Sequence, residues 1–299
     1  MTVLNIEEAV KIRDHRETVC HVNFTVRAGE QVALLGHNGA GKTTLLRLIL
    51  GLTPLDGGSI SILGAAPGSI EAQRAIAFLP ENVEFPRTLS ARELLRHFAR
   101  LKGEAGSKSD DLLERVGLAG DADRRLGTFS KGMRQRLALA QALIGEPRLS
   151  LLDEPTSGLD PIAQAEFYEI IRELANAGGA VLLSSHALTE MEAKADRIAI
   201  LKDGKLVAND QLDALRRKAG LPVCIRVSAK AQNADHLADT LGGHRINGRS
   251  VELQCPVGDK MEVLASVNAV RHLVDDIDIL PPRLDDIYRH YSQREDAIS

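Results

Sequence analysis

The sequence predicts an α/β protein in two parts. A phosphate-loop domain with a mixed-sheet core and a helical insert at about 86–145 should occupy residues 1–215, and a small α/β domain residues 216–299. Three observations carry this. A glycine-rich segment, Gly36 to Thr43, follows a strand pattern and opens a helical one. Two short apolar runs, Leu149–Leu152 and Ala180–Ser184, lack alternation, as strands of a parallel sheet covered on both faces do. Finally, Gly220–Leu221–Pro222 breaks the pattern, and a fresh series of strands and helices follows it.

The first strands are expected at Val3–Ile6, Val22–Val26 and Gln31–Leu35, with a turn at Ala28–Gly29. A helix should run from Lys42 to Leu50 and stop at Gly51, where glycine tolerates the left-handed conformation of a helix end. Strands at Ser59–Leu63 and Ala75–Phe78 come next. The period then changes to that of a helix. Ser90 and Glu93 have capping-box spacing ahead of Leu94, Leu95, Phe98 and Leu101, and helices are also expected at Asp110–Val116 and Gly132–Ile144. Beyond the break, strands at Val223–Val227, Ser250–Leu253 and Val274–Ile279 alternate with helices at Ala234–Leu241, Asp259–Val267 and after Pro281–Pro282. No chemical motif falls in this last part, which reads as an accessory module.

Composition narrows the function. The 299 residues are 44% hydrophobic and 26% charged, ordinary for a globular protein able to bury a large core. A formal charge of −4 gives no global field for nucleic acid, and 3% aromatics without tryptophan leave little to stack bases on. No nucleic-acid partner is expected. Cys20, Cys224 and Cys255 are far apart and match no disulfide or metal spacing, so they read as reduced, buried thiols of the cytosol. The amino-terminal stretch carries charges where a signal peptide would be apolar, and no run of 18 apolar residues occurs. A membrane role must then go through a partner.

The chemistry lies in two motifs. Gly36-His37-Asn38-Gly39-Ala40-Gly41-Lys42-Thr43 fits G-x-x-x-x-G-K-[ST] at every fixed position, with Thr44 next to it. Glycines let successive N–H groups turn toward phosphate oxygens, and a helix amino terminus adds positive potential. Lys42 brings a charge to the β- and γ-phosphates, and Thr43 a hydroxyl to Mg²⁺. The run Leu149 to Leu152 ends in Asp153 and Glu154: one carboxylate to hold the metal, one to act as general base toward water. ATP and Mg²⁺ are the expected ligands.

Three further elements resemble the ABC ATPase family. Phe129-Ser130-Lys131-Gly132-Met133-Arg134-Gln135-Arg136 is similar to its signature sequence, with Lys131 and Met133 departing from the pattern. Pro155 to Asp160 is similar to the loop linking the two sites of a dimer, and Ser184-Ser185-His186 to the strand end bearing the switch histidine. The resemblance covers residues 1 to about 210. It implies two such domains meeting head to tail, a pair with a homologue or, as symmetry favours, two copies of this chain, with Ser130 and Gly132 of one touching the γ-phosphate of ATP held by the other, Asp160 in the linking loop, and Glu154, His186 and Lys42 as catalytic groups. It also implies an integral membrane permease as partner and a place at the cytoplasmic face of the inner membrane. Soluble ABC ATPases of ribosomes or DNA carry two copies per chain or a long coiled coil, and neither pattern occurs here.

At two positions the sequence leaves the family norm. Where glutamine is usual it has Glu81, a carboxylate able to reach the metal or water. At the adenine-stacking position, commonly tyrosine, it has Arg13-Asp14-His15, and either Arg13 or His15 could stack on the adenine as a flat surface. Five stretches resemble the ATPase of the nitrous-oxide-reductase maturation transporter: Gly36–Thr43, Leu79–Val83, Leu94–Gly103, Ser130–Leu137 and Leu284–Tyr291. That resemblance implies a copper-related transporter with a periplasmic partner. No Cys/His cluster here would hold copper itself.

Overall fold

A computed structural model describes residues 1–106, 108–185, 188–230 and 234–293. Two compact units emerge, Met1–Asn209 and Asp210–Ser299. The 215/216 boundary read from the sequence falls within a helix, Leu212–Ala219, of the second.

The first unit begins with β1 (Thr2–Arg13) and β2 (Arg16–Arg27), an antiparallel hairpin much longer than the short apolar runs suggested. Its polar ends escape an apolar criterion yet still pair through the backbone. There follow β3 (Gln31–Leu35), α1 (Lys42–Ile49), β4 (Gly57–Ile62), α2 (Ile70–Ala75) and β5 (Ile76–Leu79). The insert holds α3 (Ala91–Lys102), α4 (Lys108–Arg115) and α5 (Lys131–Ala142). The fold then returns through β6 (Leu149–Asp153), α6 (Pro161–Asn176), β7 (Ala180–Ser185), α7 (Leu188–Met191), β8 (Arg197–Lys202) and β9 (Lys205–Asp210).

These strands form two sheets. One is antiparallel, in the order β2-β1-β4, and the other runs β5-β6-β7-β3-β8-β9. From β5 to β8 the second sheet is parallel. Its middle strands are buried on both faces, every residue of β3 and β7 included, which explains their unbroken apolar runs. One apolar core joins both sheets to α1: Val3, Leu4, Phe24 and Val26, Leu45, Leu46, Leu48 and Ile49, and Leu149, Leu151 and Leu182 all belong to a single buried cluster. Burial of this kind stabilises by roughly 25 cal/mol per Å² of apolar surface, so α1 and the loop before it have a rigid seat.

The helical insert forms as the period suggested. Ser90 Oγ accepts from Glu93 N at 3.2 Å, and Ser90 N donates back to Glu93 Oε2 at 2.7 Å, so the capping box is complete. Leu94, Leu95 and Ala99 face inward, but Leu101 is 69% exposed, contrary to the expected apolar stripe.

The second unit starts with α8 (Leu212–Ala219), ended by Gly220 in the left-handed region. Then come β10 (Val223–Ala229), α9 (Ala234–Leu241), β11 (His244–Arg245), β12 (Ser250–Cys255), α10 (Lys260–Ala269), β13 (Val274–Leu280) and α11 (Leu284–Gln293). The antiparallel order β11-β12-β10-β13 makes this a βαββαβ arrangement. Of the three cysteines only Cys255 is fully buried; Cys20 and Cys224 are half-buried.

Candidate functional site: a nucleotide site at the carboxyl edge of the parallel sheet

Parallel pairing places the ends of β5, β6, β7 and β3 side by side. Leu79 lies opposite Leu152, Asp153 opposite Ser184, and Leu35 opposite Ser185. The phosphate loop leaves β3, Asp153 and Glu154 end β6, and Pro80–Glu81 leaves β5. Ligands of open α/β sheets collect at such an edge. His186 follows β7 but lies outside the described residues.

The loop is shaped by close backbone approach. Gly41 is the cap of α1 at φ 107°, and a Cβ there would stand 2.5 Å from the Thr18 carbonyl oxygen. Only glycine fits that geometry. Lys42 is 7% exposed and donates its ammonium to the carbonyls of Gly36 and His37. Burial pushes its pKa below the ordinary lysine value, opposed in part by the carboxylates of Glu154 and Asp153. Thus Lys42 feels both acids, as a shared site requires. Thr43 is exposed and Thr44 half-buried at the start of α1; His37, Asn38 and Gly39 are exposed, while Ala40 is buried.

The acid pair is held by a residue whose role the sequence did not reveal. Ser184 Oγ donates to Asp153 Oδ1 at 2.6 Å and accepts from Glu154 N at 3.0 Å. Glu154 has φ 48°, unusual for a side chain of its size, and its N–H is fixed from β7. Such local strain persists only where surrounding contacts over-determine it. Behind the pair, buried Thr156 lies 3.2 Å from Tyr168 Oη, which donates to Glu190 at 3.2 Å. The sole sequence signal for Ser184 was a polar residue closing an apolar strand.

Hydroxyl and carboxylate oxygens from Thr43 and Asp153 are the hard donors that Mg²⁺ prefers, and the second Asp153 oxygen is not engaged by Ser184. Glu81 is exposed on the segment after β5, beside a groove of about 500 Å³ lined by Phe78, Pro80, Val83, Phe85 and Phe98.

Two motifs sit apart from this edge within the same unit. Ser130 caps α5, accepting from Met133 N at 3.2 Å, and Gly132 lies in the first turn. This turn packs on the segment after the acid pair: Lys131 covers Gly158, and Leu159 Cδ2 is 3.7 Å from where a Gly132 Cβ would stand. Asp160, expected at a dimer junction, is the cap of α6, accepting from Ile162 N at 3.1 Å and Ala163 N at 2.9 Å.

Sequence comparison agrees with this geometry. The ABC transporter family model matches residues 19–157, from β2 through the acid pair. An uncharacterized ABC transporter ATP-binding protein of Bacillus subtilis is 42% identical over 210 residues, 69% of each chain. The chain belongs to the ABC transporter ATP-binding family. This ABC ATPase is also 32% identical to a daunorubicin resistance ATP-binding protein of Streptomyces coeruleorubidus, over 97% of this chain and 95% of that one. A solved ATP-binding subunit of an ABC transporter matches with TM-score 0.68 and 34% identity, covering 73% of this chain and 94% of the other. The ABC ATPase binds ATP and hydrolyses it in transport, and no described helix is long and apolar enough to cross a membrane.

In this ABC ATPase the residues expected at the base position, Arg13 and His15, lie at a hairpin turn. Asp14 and His15, both at positive φ, join β1 to β2, and Arg13 and His15 are exposed. The hairpin is anchored at Asp56, which accepts from Ile12 N at 2.6 Å and pairs with Lys11 at 3.0 Å. An exposed turn offers stacking but few fixed hydrogen bonds to a base edge. ATP and GTP affinities are therefore expected within roughly tenfold of each other, about 1.4 kcal/mol. Competitive titration measures this, and a wider gap means that the base is read by directed hydrogen bonds.

Proposed function

We propose that the chain drives a membrane permease as a head-to-tail pair, each ATP being held by the phosphate loop of one copy and by Ser130 and Gly132 of the other. The observation that carries the pairing is Gly132. Its helix would gain up to about 1 kcal/mol from alanine in place of glycine. A Cβ there would meet nothing closer than 3.7 Å, and its φ is not positive. Among the described residues nothing demands glycine at this position, which supports a close approach by a partner at the exposed end of α5. Gly132→Ala should leave the Tm unchanged or slightly raised, yet cut ATP-dependent dimerisation and turnover at least about tenfold. Size-exclusion with MgATP and a phosphate-release assay measure both, and wild-type turnover in this variant contradicts the pairing.

In the reaction proposed, Glu154 takes a proton from water, the water oxygen bonds to the γ-phosphorus, and the bond to the bridging oxygen breaks to leave ADP and phosphate. Lys42 lies against the β- and γ-phosphates, and His186 holds the γ-phosphate in line. Thr43 and Asp153, with Glu81 within the same edge, would hold Mg²⁺, which when bound neutralises phosphate charge. The groove beside Glu81, between the β5 end and the insert, is the surface proposed for the permease.

The narrower reading is a transporter serving nitrous-oxide-reductase maturation, with a periplasmic partner and the ATPase at the cytoplasmic face of the inner membrane. The stretches Leu79–Val83, Leu94–Gly103, Ser130–Leu137 and Leu284–Tyr291 support it. The names of relatives point elsewhere: daunorubicin resistance, and Nod factor export in a Rhizobium johnstonii protein 35% identical over 92% of this chain. Co-purification from membranes decides between them. A permease recovered with a periplasmic copper-assembly partner supports maturation, and a permease of the drug-export kind overturns it.

A further inference from the structure

The turn between β8 and β9, Asp203–Gly204, lies outside every nucleotide motif yet touches the phosphate loop. Gly204 N donates to the Ala40 carbonyl at 2.9 Å, and Cys20 N of β2 donates to the Gly204 carbonyl at 2.8 Å. One residue thus joins the loop to the hairpin that carries the base position. Asp203 Oδ1 lies 3.6 Å from His37 Nε2, so the turn meets the loop at both ends. The fit is tight: a Cβ on Gly204, which has φ +79°, would stand 2.9 Å from Cys20 Sγ and from the Thr18 carbonyl carbon and oxygen. Gly204 Cα is in turn 3.5 Å from where a Gly41 Cβ would be.

This arrangement has a chemical consequence. In a planar trans peptide, C=O and N–H point in opposite directions. Holding the Ala40 carbonyl outward on Gly204 N therefore turns the Gly41 N–H the other way, away from β9 and toward the inside of the loop. Loops that bind phosphate depend on N–H groups pointing inward. The same clip fixes the distance from the loop to the β1–β2 turn, where Arg13 and His15 stand. A ligand with base and phosphates joined gains from that fixed distance, because binding at one end presents the other at high effective concentration.

We infer that Gly204 is a positioning residue for the nucleotide: it aims the Gly41 N–H and sets the spacing between phosphate and base sites. The inference rests on the ATP-site reading above. Its test compares MgATP with magnesium tripolyphosphate, which has no base, by calorimetric titration of the full chain. Gly204→Ala should weaken MgATP about tenfold and tripolyphosphate about threefold or less, so that the preference for ATP shrinks. A purely structural role would lower the Tm but leave that preference intact. Should Gly204→Ala fail to fold, Cys20→Val presses on the same turn from the strand side with a residue that strands favour, and should shrink the preference in the same sense. A folded variant with undiminished preference overturns the inference. Wild-type protein that binds neither ligand overturns the ATP-site reading instead.

Discussion

Glu154→Gln is expected to bind MgATP, to dimerise on it, and to release phosphate at least about a hundredfold more slowly than wild type, the usual worth of a positioned general base. The substitution is suited to the question because little else changes. Gln has the length of Glu, and the position is held through the backbone: Glu154 N donates to Ser184 O at 3.2 Å and Ser184 Oγ at 3.0 Å, and neither contact involves the side chain. The φ of 48° at this residue belongs to a backbone whose N–H those bonds fix, so Gln should adopt it equally. Proton acceptance is lost, together with the carboxylate charge that Lys42 feels. Equilibrium binding and light scattering should match wild type, while steady-state phosphate release falls. Undiminished turnover would remove Glu154 from the role of base and leave the sheet edge as a binding site alone.

The strength of that expectation depends on Ser184, which shows where the sequence was readable and where it was not. Gly36–Thr43 and the Asp153–Glu154 pair were legible because their chemistry is local: a tight backbone turn and a strand tip each need a few residues at fixed spacing. The parallel core was legible from unbroken apolar runs, since both faces of β3 and β7 are covered. Contacts between segments distant in the chain were not. Nothing in the run at 180–185 says that Ser184 lies opposite Asp153; sheet order decides it. Gly204 was missed for the same reason, as its meaning comes from Ala40 and Cys20. The β1–β2 hairpin was underestimated because its outer residues are polar and pair through backbone groups that every residue possesses. Asp160 was assigned to a dimer junction by resemblance, and within the chain it caps α6. The two roles are compatible, since a cap that fixes the start of α6 also fixes the loop before it.

The second large effect concerns Lys42, where binding and stability should move in opposite directions. Its ammonium is desolvated at 7% exposure, and its partners within the chain are carbonyls. Burial lowers its folded-state pKa, so the unfolded chain holds the proton more tightly than the folded one. The sign follows. Between the lowered value and the ordinary lysine value near 10.5, stability rises with pH as the folded state is allowed to lose the proton. Below that window the full desolvation penalty is present. Lys42→Met keeps the aliphatic stem and removes the charge, so without nucleotide its Tm at pH 7 should lie above wild type, and the gap should narrow as pH is raised through that window. MgATP affinity should fall at least about a hundredfold, because a charge-assisted contact to phosphate in a buried setting is worth about 1.5–3 kcal/mol and the proposed site sets Lys42 against two phosphates. Paired thermal melts with and without MgATP read both signs at once: a higher melt for the variant alone, and a nucleotide-induced shift in wild type only. A variant melting below wild type at pH 7 would mean that the bonds to Gly36 and His37 outweigh desolvation. Its loop would then be held in shape by Lys42 before ATP arrives, rather than strained by it.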